Sequence, residues 1–349
     1  MNKPKLEAIE ISRSISKFLS DYAPFHLTTS KHTLKSYETS LSLFIGYLET
    51  VKQIRPCNFD KRCFERIMIE DWLVWLVTEH KCCPETCNNR LAAIRAFLKY
   101  LGTRDIRFLY LSNEASGIPL RKTQKRKVNG ISRDAIKSLL ASPNPETNSG
   151  LRDLVFMLFL YATAVRLDEA LSLKINQLHL DAAKPYVTVI GKGGKIRTLD
   201  LLPKAVGHMK RYLKRYHGDN PDGEAYVFYS RNTGPNGKLT QAAIAKMLKK
   251  HAAKTHETHP DVPLALHAHQ FRHAKASHWL EDGMNIVQIS FLLGHAQLQT
   301  TMVYLDVTTE QEAKALATLE DENDKNVHAK WKNSGNTLAD LCGVKPMKK

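Results

Sequence analysis

The sequence predicts a mainly α-helical chain in two domains: an all-helical N-terminal bundle, then a mixed α+β, mostly helical domain carrying a small antiparallel sheet. Three observations predict it. The 349 residues exceed the roughly 100–200 of a single domain, so two cores are expected. Apolar residues recur at three-and-four spacing through most of the chain, the period of helices with one buried face. That pattern is interrupted by a β-branched run, a glycine turn and a second extended run. Hydrophobic residues at 43% and charged residues at 25% are ordinary for a globular protein and argue against extensive disorder.

Taken in order, Ser30 is a plausible N-cap for a helix whose apolar face holds Leu41, Phe44, Ile45 and Leu48. A second periodic stretch holds Trp72, Trp75 and Leu76, and a third runs from Thr86 to Leu101 with Gly102 as its stop. Between about Ser112 and Gly130 the periodicity lapses at Gly117, Pro119 and Gly130, while Arg121, Lys122, Lys125, Arg126 and Lys127 place five cations within seven residues. This reads as a domain linker, either a strap along DNA phosphates or a solvated basic loop. After Ile131 helices resume. Tyr186 to Ile190 and Ile196 to Leu202, joined through Gly191-Lys192-Gly193-Gly194, form a β-hairpin with Lys192 at its tip. Further helices are expected over 205–216, 241–253, 272–282 and 285–293. The domains are accordingly 13–115, a basic linker 116–130, a second domain 131–320, and a polar tail 321–349.

Against 35 Asp and Glu stand 51 Lys and Arg, a formal charge of +16 with pI near 9.5, which calls for a polyanionic partner. The longest apolar run, Leu154 to Val165, falls short of the ~18 residues of a spanning helix. Residues Met1 to Lys5 open no secretory signal. Nucleic acid is therefore preferred to membrane, and a cytoplasmic location is expected. Cysteines at 57, 63, 82, 83, 87 and 342 match neither a zinc-knuckle pattern nor a disulfide framework and read as reduced thiols. The cluster Cys82, Cys83 and Cys87 reads as a partly buried helix start in preference to a metal site.

The residues that carry chemistry lie in the second half. Arg166 follows the apolar run, with Glu169 three residues on; alone, that pair reads as a surface ion pair. His269 and Arg272 share one helix face and can touch a single phosphate. A histidine can exchange a proton near neutrality. Neighbouring His251, His256, His259, His267, His273 and His278 raise a zinc alternative, but no cysteine accompanies them and their spacings match no closed ligand set. Gly294 stops a helix and leaves His295 at the turn, with Tyr304 nine residues later. A lone tyrosine beside apolar residues is more often core than nucleophile.

Together, Ala164-Val-Arg166-Leu-Asp-Glu169, Gly191-Lys192-Gly-Gly-Lys-Ile-Arg197, His269-Gln-Phe-Arg272-His273 and Leu293-Gly-His295 with Tyr304 resemble the motif boxes of the tyrosine recombinases, the phage-integrase family, in order and spacing. Upstream, Thr33 to Tyr37 and Asn88 to Leu101 resemble that family's SAM-like helical core-binding domain, so the likeness covers roughly residues 13–315. Phe271 stands where leucine is commoner. The segment from Thr50 to Arg66 and the tail match no motif. Mobile-element members look nearer than chromosome-dimer-resolving ones.

The resemblance implies a site-specific recombinase that clamps a duplex inverted-repeat site between its domains and assembles into a tetramer on DNA, with accessory DNA-bending or directionality proteins as further partners. Tyr304 would attack the scissile phosphate, giving a 3′-phosphotyrosine and a free 5′-hydroxyl. Arg166, Arg272 and His295 would hold the transition-state charge, Lys192 would protonate the leaving oxygen, His269 would help deprotonate Tyr304, and Glu169 would support them. Arg90 and Arg95 would join the basic linker in contacting DNA. Neither metal nor cofactor is implied. A non-catalytic DNA-binding regulator would have no use for Tyr304, and a metal-dependent nuclease would want clustered carboxylates.

Overall fold

The computed structural model describes residues 5–123, 130–295 and 297–302, with Lys192 described in its backbone alone. Lys125, Arg126, Lys127, Tyr304 and the tail lie outside these residues. The chain divides into two compact units, Met1–Arg126 and Lys127–Lys349.

The first unit is all helical: α1 (Leu6–Lys17) running into a wide π-helical segment (Phe18–Leu27), α2 (Lys31–Thr50), α3 (Arg66–Thr78), α4 (Pro84–Arg104) and α5 (Leu109–Ser116). Its centre is aromatic. Phe18, Phe44, Phe64, Trp72 and Phe97 are fully buried, with Phe44 edge-on to Trp72 at 5.1 Å and Phe18 edge-on to Phe97 at 5.6 Å. Such pairs add about 0.5–1.5 kcal/mol each beyond their burial. The unassigned segment after Thr50 contributes a short 3₁₀ turn, Lys61–Phe64, which seats Phe64 in this core.

One expectation holds in position alone and two are corrected. Ser30 occupies the N-cap position of α2, but its hydroxyl makes no capping bond; instead its own N–H donates to the Thr28 hydroxyl at 3.0 Å. Gly102 does not stop α4, which runs on to Arg104. A Cβ there would lie 3.1 Å from the Leu109 Cα, so the glycine serves the close approach of α5. The stretch from Ser112 is not linker throughout. α5 continues to Ser116, and Ile118 is buried in the same core.

In the second unit, helices α6 (Arg133–Ala141), α7 (Asn148–Thr163), α8 (Leu167–Leu171), α9 (Pro203–His217), α10 (Gln241–His256), α11 (Ala268–Glu281), α12 (Ile286–Leu293) and α13 (Gln299–Met302) surround two small sheets. The hairpin pairs β2 (Tyr186–Ile190) with β3 (Ile196–Asp200) in antiparallel register, Ile190 opposite Ile196. β1 (Leu178–His179) adds a third strand. A second ribbon, β4 (Tyr229–Ser230) with β5 (Gly234–Lys238), was not legible because β4 is two residues long and the glycine-rich β5 carries no apolar alternation. α11 starts at Ala268, four residues before the expected Arg272, and so takes in His269. Among the described residues no helix is long and apolar enough to cross a membrane.

Candidate active site

The buried helix α7 ends at Ala164, whose φ of +51° is left-handed. This turn makes Arg166 the residue that precedes α8. The Glu169 carboxylate accepts the Arg166 backbone N–H at 2.8 Å and its Nη1 at 3.1 Å, capping the helix and aiming the guanidinium. Arg166 Nη2 donates to the Gly294 carbonyl at 3.1 Å. Its side chain stays 37% exposed, so it can meet a ligand.

From α11, Arg272 reaches the same corner from inside. It is 1% exposed. Nη1 donates to the Ala164 carbonyl at 2.8 Å and Nη2 to that of Leu293 at 2.6 Å, binding the end of α7 to the end of α12. The two arginines thus hold consecutive carbonyls, Leu293 and Gly294, immediately before His295. Gly294 ends α12 at a φ of +64°; a side chain there would be strained and would lie 3.1 Å from Arg197.

His295 Nδ1 pairs with the buried Thr301 hydroxyl at 2.8 Å, which fixes the ring and leaves Nε2 as its other polar atom. Burial, then Arg272 and Arg166, push its pKa down to about 4. His269 stands edge-on to His273, with ring centroids 4.3 Å apart. Burial and then Arg272 also hold His269 below its ordinary value. Both rings are neutral at neutral pH. His269 is therefore in the state that accepts a proton.

Glu169 is not the surface partner its spacing suggests. It is buried and receives Arg197 at 3.1 Å from Nη1 and 2.6 Å from Nη2. Burial works to raise its carboxyl, but bonds from Arg197 and the Arg166 backbone outweigh that and hold it below the usual carboxylate range. Arg197 stands in the hairpin motif, but the sequence reading gave it no role. The available signal was a charged residue at an inward position of β3, between the outward-facing Ile196 and Thr198.

Hydrogen bonds tie Arg166 to Glu169 and to the Gly294 carbonyl and Arg272 to the Leu293 carbonyl, so both arginines meet the turn that carries His295, with His269 on the same helix as Arg272. Lys192 sits in the turn between β2 and β3. Two guanidiniums, those of Arg166 and Arg197, pair with the Glu169 carboxylate, and a third, that of Arg272, is held on backbone carbonyls, so positive charge exceeds negative among these described residues.

The expected DNA contacts fare differently. Arg95 is engaged within its own unit: its Nε donates to the Ala115 carbonyl at 2.8 Å and its Nη2 to those of Ser116 and Ile118, so it caps α5. Arg121 is held by Asn88 through both backbone groups and donates Nη2 to the Leu73 carbonyl. Arg90 donates to the Ser40 hydroxyl at 3.1 Å. His251, His256 and His278 are used inside the fold, bonded to Ser142 and Asp153, to the Val262 carbonyl, and to the Tyr161 hydroxyl.

Five histidines with lowered pKa give a pH dependence. His217, His269, His273, His278 and His295 all lie below their ordinary value, chiefly through burial. From about pH 6.5 down to about 4 the unfolded chain binds more protons, so stability present above that window is lost as pH falls through it. Thermal melting should move down steadily from pH 7.5 to 5. A flat or rising profile would contradict the neutral assignment.

A family model described as the phage integrase family matches residues 130–311, and one described as the phage integrase N-terminal SAM-like domain matches residues 25–105. The chain is 30% identical over 295 residues to the tyrosine recombinase XerD of Listeria monocytogenes serovar 1/2a, spanning 80% of this chain and 89% of that protein. It is also 30% identical over 292 residues to the tyrosine recombinase XerA of Pyrococcus horikoshii, spanning 82% and 87%. A solved XerH site-specific recombinase, bound to a palindromic difH substrate, superposes with a TM-score of 0.69 at 17% identity over 92% of this chain and 100% of that one. The Tn1549 transposon integrase in complex with a circular intermediate DNA gives 0.62 at 16% identity over 83% and 94%. At these identities the two solved structures establish a shared fold.

Proposed function

We propose that this chain, which belongs to the phage integrase family of tyrosine-type site-specific DNA recombinases, carries out strand cleavage and rejoining with Tyr304 as nucleophile and the cluster around His295 as its phosphate site. The observation that carries the assignment is the convergence of Arg166 and Arg272 on the consecutive carbonyls of Gly294 and Leu293. Two planar forks held by backbone carbonyls one residue apart form a preorganised site for the two non-bridging oxygens of one phosphate.

In the proposed reaction the Tyr304 oxygen bonds to phosphorus as the bond to the 5′-oxygen breaks. The tyrosine proton goes to His269, the leaving oxygen takes one from Lys192, and His295 donates to the phosphoryl oxygen. One phosphodiester becomes one phosphotyrosyl ester, so the bond energy is retained for religation by the reverse path. The partner proposed is a duplex inverted-repeat site bound by two protomers, with two such sites forming a tetramer; the fold neighbours solved with DNA support the DNA part. Lys122, Lys125, Arg126 and Lys127 are proposed to follow phosphates, with accessory DNA-bending proteins acting on the same DNA. The proposed location is the cytoplasm. Movement of a mobile element is the proposed setting. Its rival, dimer resolution by the same chemistry, is separated from it by the DNA flanking the gene.

The test is covalent capture on a nicked suicide substrate in EDTA. Lys192→Ala should lose cleavage on ordinary DNA and recover most of it when the leaving 5′-oxygen is replaced by sulfur, because a thiolate leaves without a proton. Loss and rescue at Lys195→Ala, with Lys192→Ala unaffected, would reverse the roles of the two lysines.

A further inference from the structure

We propose that Arg197 is a positioning residue that seats the Lys192 hairpin against the arginine–histidine cluster, an inference resting on the strand-transfer reading above. Arg197 lies on β3 opposite Val189 and is 7% exposed. Its fork grips Glu169 through both Nη atoms, and its Nε donates to the Leu292 carbonyl at 3.0 Å. One side chain thereby ties the hairpin to the carboxylate that aims Arg166 and to the helix end that presents His295.

The turn carrying Lys192 rests on that ion pair. At Gly191 a Cβ would lie 3.2 Å from Arg197 Nη1 and 3.3 Å from Glu169 Oε1, so the backbone just before Lys192 packs directly on the paired groups. The Gly191 N–H closes the turn onto the Lys195 carbonyl at 2.7 Å. Gly193 and Gly194 have left-handed φ of +76° and +74° with nothing within reach of an added Cβ. No neighbouring group packs on these two glycines of the tip, while the base is fixed. A general acid on such a tip is placed by whatever holds the base, and here that is Arg197.

Arg197→Lys keeps the charge and loses the fork. It should slow cleavage of ordinary DNA by about 100-fold, the cost of an ångström-scale misplacement, with DNA affinity unchanged. The 5′-sulfur substrate should recover most of that loss, as a missing proton donor requires and a merely weakened fold does not. Gly191→Ala, whose φ of −91° suits alanine, retains every charge and should show the same loss and rescue with near wild-type melting. Hydrogen exchange of the amides from 191 to 196 should accelerate in both variants. Wild-type capture and rescue of Lys192→Ala establish the parent reading separately. With those in hand, equal loss on both substrates, wild-type rates, or unchanged exchange across 191–196 would each overturn the role assigned to Arg197.

Discussion

Tyr304→Phe should bind DNA as tightly as the wild type and yield no covalent complex on a nicked suicide substrate. The substitution removes one hydroxyl, and a reaction that runs through a covalent intermediate loses its first step with the nucleophile, a fall on the order of 10³-fold or more. Denaturing gel electrophoresis of the trapped complex reads this directly. Undiminished capture would move the nucleophile elsewhere and, with it, the meaning of the cluster at His295. Retained DNA affinity is the other half of the expectation, because the site proposed to grip phosphate is built from Arg166 and Arg272 and does not involve Tyr304.

The second large effect separates the two arginines. Arg166→Lys should lower cleavage by about 10²–10³-fold while stability changes by less than about 1 kcal/mol, because its side chain is partly exposed and one of its two side-chain partners, Glu169, stays paired with Arg197. Arg272→Lys should show a similar catalytic loss together with about 2–4 kcal/mol of destabilisation, since a buried ammonium cannot span the Ala164 and Leu293 carbonyls together. Cleavage rates and urea melts on the same preparations measure both. If Arg272→Lys melted like wild type, the clamp between α7 and α12 would not bear on stability; if either variant cleaved normally, its arginine would not grip the phosphate.

The sequence was most legible where the signal is local. The hairpin was readable because a β-branched run and a second extended run flank a glycine turn, and the end of α12 because a glycine tolerates the left-handed conformation there. Arg166, Arg272 and His295 were readable as a set because each sits in a short motif of fixed spacing. The first helix and its π-helical extension were not called individually, although Ile11 and Phe18 lie on a buried face; Pro24 within the segment masks its helical character. Arg95 shows what a local pattern leaves out. An arginine on an amphipathic helix reads as a solvent-facing cation, and here it is spent on three carbonyls at the end of α5.

By itself the sequence determined the two-domain helical plan, the basic charge that calls for DNA, the hairpin, and the residue types from which a phosphate site is made. Tertiary structure alone decided which charges are buried and with whom. Glu169 pairs with Arg197 across 28 residues, and Arg272 reaches Ala164 across 108. The reason is physical. Backbone periodicity and turn conformation are set by near neighbours and leave their mark within a short window of sequence. Desolvation of a charge depends on which distant segments close over it, and no local pattern records that.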